Sequence, residues 1–194
     1  MVVENTDQRG ENTMEAVNAR DGIELLPHDP LWTSMYSDER DRLLGALGEM
    51  VRRIDHVGST AVPGLEAKPI IDIMVSVDIL EIGTVKEILE DVGYLHVPID
   101  ETGRLFFRKG VPRTHHLHVV RIGSWEYWKH LFFRDRLLNN KDEIREYAAL
   151  KMELAERFHH DREAYTKEKE AFIEDLLAKA VLERLVYIDR PSCG

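Results

Sequence analysis

The chain has almost no cysteine. Cys193, beside the C-terminus, is the one thiol among 194 residues. No internal disulfide can form, and a reducing, cytoplasmic setting is expected. Long apolar runs are also missing. None approaches the ~20 residues that span a bilayer, and the N-terminus lacks the apolar stretch of a signal peptide, so no membrane partner is expected. Positive charge is in deficit: 26 Lys and Arg stand against 36 Asp and Glu, for a formal net charge of -10 and a pI near 5.4. Broad nucleic-acid binding needs a basic face, which this composition argues against. A small polyanion in a locally basic pocket stays compatible with it. Internal repeats and low-complexity tracts are absent.

What is present is an ordinary globular composition, 43% hydrophobic, in a chain long enough for a real core. The reading is a polar, loosely attached lead-in over 1–22, one domain over 23–186 and a tail over 187–194. Helical spacing of Trp32, Met35, Tyr36, Leu43, Leu44, Leu47 and Met50 predicts a helix from Leu31 to about Arg52, with Ser37 or Asp38 as a cap or restart. Strands are expected at Ile54–Val57, Ile70–Val77, Tyr94–Val97, Arg104–Lys109 and Thr114–Ile122. A helix carrying Ile82, Val85, Ile88 and Leu89 follows the second and ends at Gly93. From Trp125 the pattern is helical in three segments: to Leu138, from Asn140 to Arg157, and from Asp161 to Arg184. The fold class is α+β or α/β, a small mixed sheet flanked by helices with a helical C-terminal segment.

The segment from Ile54 to Val77 carries the densest chemistry. Gly58, Ser59 and Thr60 form a tight turn whose backbone N–H groups could cradle a phosphate. Lys68 precedes Pro69, is therefore biased to extended backbone, and could reach that phosphate as a point charge. Asp72 interrupts the apolar run Ile70-Ile71 and Ile73-Met74-Val75. A bare carboxylate there is expensive unless it is paired, hydrogen-bonded or bound to metal. Mg²⁺ takes one or two carboxylates together with phosphate oxygens, which suits Asp72. The bland alternatives are a turn serine, a solvated lysine, and an aspartate that caps a helix or pairs with an arginine.

His56-Val-Gly-Ser-Thr-Ala-Val-Pro-Gly-Leu-Glu-Ala-Lys-Pro-Ile-Ile-Asp72 resembles the signature of the GrpB family. Arg104-Leu-Phe-Phe-Arg108, His115-His-Leu-His-Val-Val120, Trp128 through Phe133-Arg-Asp135, and the Tyr147/Lys151 and Tyr165/Lys169 pairs extend the resemblance from about Ile23 to Ala180. That family is similar in fold to the nucleotidyltransferases, which use a Gly-Ser turn followed by carboxylates that bind a divalent metal and a nucleoside triphosphate. The resemblance implies a nucleotide as substrate, a divalent metal (Mg or Mn, or Zn), and transfer of a nucleoside monophosphate to a small acceptor. The chain departs from the pattern where a second carboxylate is expected two residues after the first, at Met74. Asp78 shares the face but lies about 20 Å further along a straight strand. Two-metal chemistry, with ions ~4 Å apart, is therefore in doubt.

The histidines could supply what Met74 does not. His116 and His118 share one strand face, a spacing that suits Zn²⁺ or Mn²⁺ with Asp72 or His56 completing the set. Alternatively His118 is an acid or base beside Asp72 and its neighbours are packing residues. Arg104 and Arg108 flank Phe106 on one face and could grip phosphate while the ring stacks a base; a charged edge strand is the rival reading. Tyr147/Lys151 and Tyr165/Lys169 each share a helix face; they would add phosphate-directed cations if both helices border the cleft, and the favoured reading is half-buried tyrosine beside a snorkelling lysine. Arg134 reads as structural. Three functions stay open: a metal-dependent nucleotidyltransferase with Asp72 and His118 as catalytic residues; an inactive module binding a nucleotide or a phosphorylated, coenzyme A-like metabolite; and a hydrolase centred on His56, Asp72, His116 and His118.

Overall fold

The computed structural model describes residues 22–78, 82–99 and 103–188. The polar lead-in up to residue 21, the side chain of Ile82, and the end of the tail with Cys193 lie outside the described residues. Helix α1 (Leu31–Leu47) opens after Asp29, whose carboxylate accepts the Leu31 N–H at 2.9 Å. It runs past Ser37 and Asp38 without a restart, and a short 3₁₀ turn (Gly48–Met50) leads into β1 (Val51–Val57). The strand therefore starts three residues earlier than the apolar pattern suggests, because Val51 and Arg53 pair with Val77 and Ser76 on the neighbouring strand. A second 3₁₀ turn (Ser59–Ala61) precedes β2 (Ile71–Val77), α2 (Ile82–Asp91), β3 (Leu95–Val97), β4 (Arg104–Lys109) and β5 (His115–Arg121).

The five strands run β1-β2-β5-β4-β3. β2 and β5 are parallel, and every other neighbouring pair is antiparallel. One face of this mixed sheet presents Ile71, Ile73, Val75, Leu117, Val119 and Phe107 to Trp32, Leu43 and Leu47 of α1 and Val85 and Leu89 of α2, forming the main core. Continuous apolar character in β2 follows from cover on both faces. On the other face, Val57, Met74 and Val120 pack against Tyr127 and Leu131. These come from α3 (Trp125–Asn139), which covers only part of that face. The remainder, at the end where β2 and β5 begin, stays open.

The C-terminal helices close over this open end from the side. Three of them start on a side-chain cap. Ser124 accepts the Tyr127 N–H, Asn140 accepts from Asp142 and Glu143 to begin α4 (Lys141–Arg157), and Asp161 accepts from Ala164 to begin α5 (Arg162–Glu168). Arg136 of α3 forks onto Glu143 of α4 with both contacts at 2.6 Å. The last predicted helix is two: at Lys169 the backbone tightens to a bond with Thr166, and α6 (Glu170–Ile188) continues beyond it. The loop between β1 and β2 is anchored by a second core, in which Val62 and Leu65 meet Leu137, Tyr147 and Leu176. No described helix is long and apolar enough to cross a membrane.

Ile73 lies in the main core, between the sheet and helices α1 and α2. Ile73→Ala should therefore cost about 2–5 kcal/mol in urea unfolding, while Leu31→Ala, at a position 64% exposed, should stay within about 0.5 kcal/mol of the parent.

Candidate functional site

The strand register decides which side chains meet. Asp72 pairs with His116 across the parallel ladder, Met74 with His118, and on the far side Phe106 pairs with His118 and Arg108 with His116. Asp72, His116, His118, Arg104, Phe106 and Arg108 thus share the sheet face left open by α3, and they line a cleft of about 1070 Å³ with Ser59, Thr60 and Lys68. The turn and the strands singled out in the sequence do converge.

Asp72 has its place because of Gly58. That glycine sits at φ 69° and ψ -170°, a region open essentially to glycine alone, and a β-carbon there would lie 2.3 Å from Asp72 Oδ2. Asp72 Oδ1 lies 3.0 Å from His116 Nδ1 and 3.9 Å from His118 Nε2. Burial pushes this carboxyl up, but the His116 hydrogen bond and the His118 imidazole beside it more than offset this and hold Asp72 well below the usual carboxylate range. Burial in turn lowers both histidines, against the pull of Asp72, so both are neutral near pH 7.

Arg104 then fixes the His118 tautomer. Its NH1 lies 2.7 Å from His118 Nδ1. A guanidinium only donates, so Nδ1 accepts and the ring proton sits on Nε2, facing Asp72. His116 donates from Nδ1 to Asp72, which leaves its buried Nε2 as an acceptor with no hydrogen bond. His130 of α3 joins this group: its ring lies 4.6 Å from that of His118, and burial and then His118 lower it well below the ordinary range. Nothing in the sequence pattern marked His130, because it needs the crossing of α3 over β5 to reach the site.

Two expectations change. Phe106 is 9% exposed, with the Arg104 and Arg108 guanidiniums 5.6 and 5.3 Å from its ring centre and the His118 ring 5.1 Å away. It orders the arginines and has no open face for a base. His56 lies on the opposite face of the sheet, paired with Ile73, stacked on Tyr36 at 4.7 Å and bonded through Nε2 to Thr60 Oγ1 at 3.0 Å. It is not placed to complete a set with Asp72, His116 and His118. Among the described residues no three His, Cys, Asp or Glu side chains are grouped to hold a metal ion. Asp72 would have to hold one as the sole carboxylate, with oxygens supplied by a ligand. Asp55, opposite Met74, is spent on Arg53 and Arg134, and Arg134 also donates to the His56 carbonyl, so its role is structural.

On the helical side of the cleft the less favoured of the two readings of the tyrosine-lysine pairs holds. Lys151 and Lys169 reach the cleft, where they join Lys68, Lys167, Arg104, Arg108, Arg113 and Arg162; the acids there are Asp72, Asp161, Glu163 and Glu170. Tyr147 and Tyr165 are buried, with Lys151 4.9 Å from the first ring and Lys169 4.2 Å from the second. Lys68 lies 5.1 Å from the Tyr165 ring. The lysines therefore do not snorkel to bulk solvent. The i, i+4 spacing placed each on its tyrosine's face, but which way that face points follows only from how α4, α5 and α6 pack.

Gly58→Ala should strain the turn by about 1–3 kcal/mol and push Asp72 away from His116, read as a lower thermal midpoint together with a shifted His116 imidazole resonance. The acid side of stability should depend on His56. Burial above all lowers it to about 4 in the folded chain, against about 6.5 unfolded. Between those values the unfolded chain binds more protons, so stability falls as pH drops from 6.5 towards 4, by on the order of 3 kcal/mol at most. His56→Phe keeps a ring against Tyr36 and should flatten that slope in urea titrations across the window.

A sequence model of the family described as GrpB protein matches residues 22–179. UPF0157 protein PA4798 of Pseudomonas aeruginosa is 41% identical over 168 residues, covering 83% of this chain and 69% of that protein. A dephospho-CoA kinase of Mycolicibacterium paratuberculosis is 29% identical, covering 84% of this chain but 47% of that protein, so the chain corresponds to about half of it. The crystal structure of GrpB from Enterococcus faecalis matches with a TM-score of 0.78 at 32% identity, covering 84% of this chain and 99% of that one, and its fold is nucleotidyltransferase-like. With the signature turn, the Asp72 strand and most of the chain's length inside these matches, this protein belongs to the GrpB family.

Proposed function

We propose that the cleft binds a small phosphorylated metabolite of the nucleotide or coenzyme A class, held chiefly through its phosphates. The observation that carries this reading is the concentration of cations around one low-pKa carboxylate in a chain whose net charge is -10. Lysine and arginine rarely gather at a buried site unless an anion compensates them. Arg104 and Arg108 are pre-ordered on Phe106, and the backbone at Gly58 to Thr60 adds N–H groups at the mouth of the turn. Asp72 would share a divalent cation, Mg²⁺ or Mn²⁺, with phosphate oxygens of the ligand, and His116 and His118 would orient it. Asp72 would meet the reacting group, and His118, with its Nε2 proton turned towards Asp72, would steady that carboxylate.

Met74 favours binding without turnover as a second reading. It is fully buried among Val57, Val120, Tyr127 and Leu131, so the place of a second metal-binding carboxylate is part of an apolar core. The relative named dephospho-CoA kinase makes a coenzyme A precursor a ligand to test beside nucleotides.

With Mg²⁺ present, ATP or dephospho-CoA at 100 times its dissociation constant should stabilise the protein by about 2.7 kcal/mol, seen as a raised thermal midpoint. Asp72→Asn should abolish the Mg²⁺-dependent part of that rise and leave a metal-independent remainder. An Asp72→Asn protein with the full Mg²⁺-dependent shift would remove Asp72 from the assignment. Release of a nucleoside monophosphate onto an acceptor, followed by chromatography, separates transfer from binding alone.

A further inference from the structure

Among the described residues, the lysines drawn in from bulk solvent, Lys151 buried and Lys68, Lys109 and Lys169 half-buried, come in two kinds. Lys109, on β4, meets Glu39 of α1 at 2.7 Å, with Glu39 only 4% exposed. That is a structural pair, charge against charge. Lys68, Lys151 and Lys169 come from three different elements, namely the loop before β2, helix α4, and the junction of α5 and α6. They gather at one end of the cleft around Tyr147 and Tyr165. Among the described residues none of the three has a carboxylate partner; Lys151 donates to the Glu66 carbonyl. Three ammonium groups brought together in a sheltered pocket repel one another, and the nearby carboxylates, Asp72 for Lys68 and Lys169 and Glu66 for Lys151, offset burial and repulsion only in part.

We propose that Lys68, Lys151 and Lys169 form a seat for a terminal phosphate, so that the cleft selects phosphomonoesters and terminal diphosphates over internal phosphodiesters. This rests on the reading of the cleft as a phosphate-binding site and names the group it takes. A terminal phosphate carries close to two negative charges near neutral pH and presents three oxygens, one for each ammonium. An internal diester carries one charge and two free oxygens, and would leave a lysine uncompensated. The seat lies beside Asp72, which acts electrostatically on both Lys68 and Lys169. The phosphate chain of a bound metabolite would therefore run from the seat towards the carboxylate.

The lysine cluster also has a measurable signature. Burial first, then Lys169, lowers Lys151 to about 7, with Lys68 acting in the same sense and Glu66 opposing. Burial first, then Lys68, lowers Lys169 to about 8, with Asp72 opposing. Lys68 is lowered by burial, opposed by Asp72, and further lowered by Arg162, Arg113 and Arg108. At pH 8 the three lysines are thus partly deprotonated. A dianion favours the charged amines, so its arrival should draw protons from solvent.

The test is titration calorimetry of the full-length protein with pyrophosphate, inorganic phosphate and dimethyl phosphate at pH 8. Each is run in Tris and in HEPES, whose ionisation enthalpies differ. Pyrophosphate should bind with net uptake of about half a proton or more, and dimethyl phosphate at least tenfold more weakly. Lys151→Met and Lys169→Met should each weaken pyrophosphate at least tenfold and reduce the uptake, while circular dichroism shows both variants folded. Equal affinity for pyrophosphate and dimethyl phosphate would overturn the seat, as would lysine variants that bind pyrophosphate like the parent. ATP or dephospho-CoA binding that persists unchanged in both lysine variants would overturn the seat and leave the cleft reading standing. A parent protein that binds none of these compounds would overturn both.

Discussion

Geometry at the cleft depends on a contact that only a missing β-carbon permits. Asp72 Oδ2 occupies the space where a side chain at position 58 would begin, 2.3 Å from an added β-carbon. The glycine thus does two jobs: its backbone takes a conformation essentially closed to other residues, and its bare Cα lets β2 carry a carboxylate up against the turn. The rest follows from Asp72. His116 orients towards it, His118 is turned by Arg104 so that Nε2–H faces it, and His130 packs behind. A carboxylate inside an apolar strand is tolerable here because donors surround it, and the same donors hold it ionised.

Charge is distributed with equal economy. The chain as a whole is acidic, yet its cleft gathers four arginines and four lysines around a few acids. Structural ions are paired off elsewhere: Glu39 with Lys109, Asp55 with Arg53 and Arg134, and Glu143 with Arg136. Each joins separate elements or fixes a strand end, and breaking such a buried pair by removing one partner costs about 3–5 kcal/mol. The cleft cations do not follow this pattern as a group. Arg104 and Arg108 lie on Phe106, and Lys68 and Lys169 lie on Tyr165, so aromatic faces order them without neutralising them. A set of cations ordered in this way is pre-organised for an anion, since the entropy of fixing the side chains is lost on folding and not on binding.

Much of this was visible along the chain because strands alternate strictly. Once Arg104–Lys109 and His115–Arg121 are recognised as strands, period two alone puts Arg104, Phe106 and Arg108 on one face and His116 and His118 on one face. That the two faces are the same face, and that it is Asp72's, depends on register, which no local pattern encodes; pairing of Asp72 with His116 and of Arg108 with His116 supplies it. His56 shows the converse. It stands in the same motif as Gly58, yet it pairs with Ile73 and so points into the layer under α1. The helical side was harder to read. An i, i+4 Tyr-Lys pair is compatible with either a solvent face or a cleft face, and the break at Lys169 that helps turn it inward leaves no glycine or proline signal.

The buried Met74 and the closed ring of Phe106 bear on one question, which is what distinguishes this cleft from a generic nucleotide site. A nucleotide is recognised through base, sugar and phosphates, and the first usually needs an aromatic face or a set of edge-reading donors. Here the ring at the centre of the cleft is covered by its own arginines and by His118, and Tyr165 is buried beneath lysines. A second metal carboxylate cannot come from position 74, because that side chain is part of the contact between the sheet and α3. What the fold presents at the sheet side of the cleft is positive charge and the carboxylate of Asp72, with Asp161, Glu163 and Glu170 on the helical side. Discrimination in such a site rests on the number and placement of the ligand's negative charges, which is a property of phosphate chains and only indirectly of the group they are attached to.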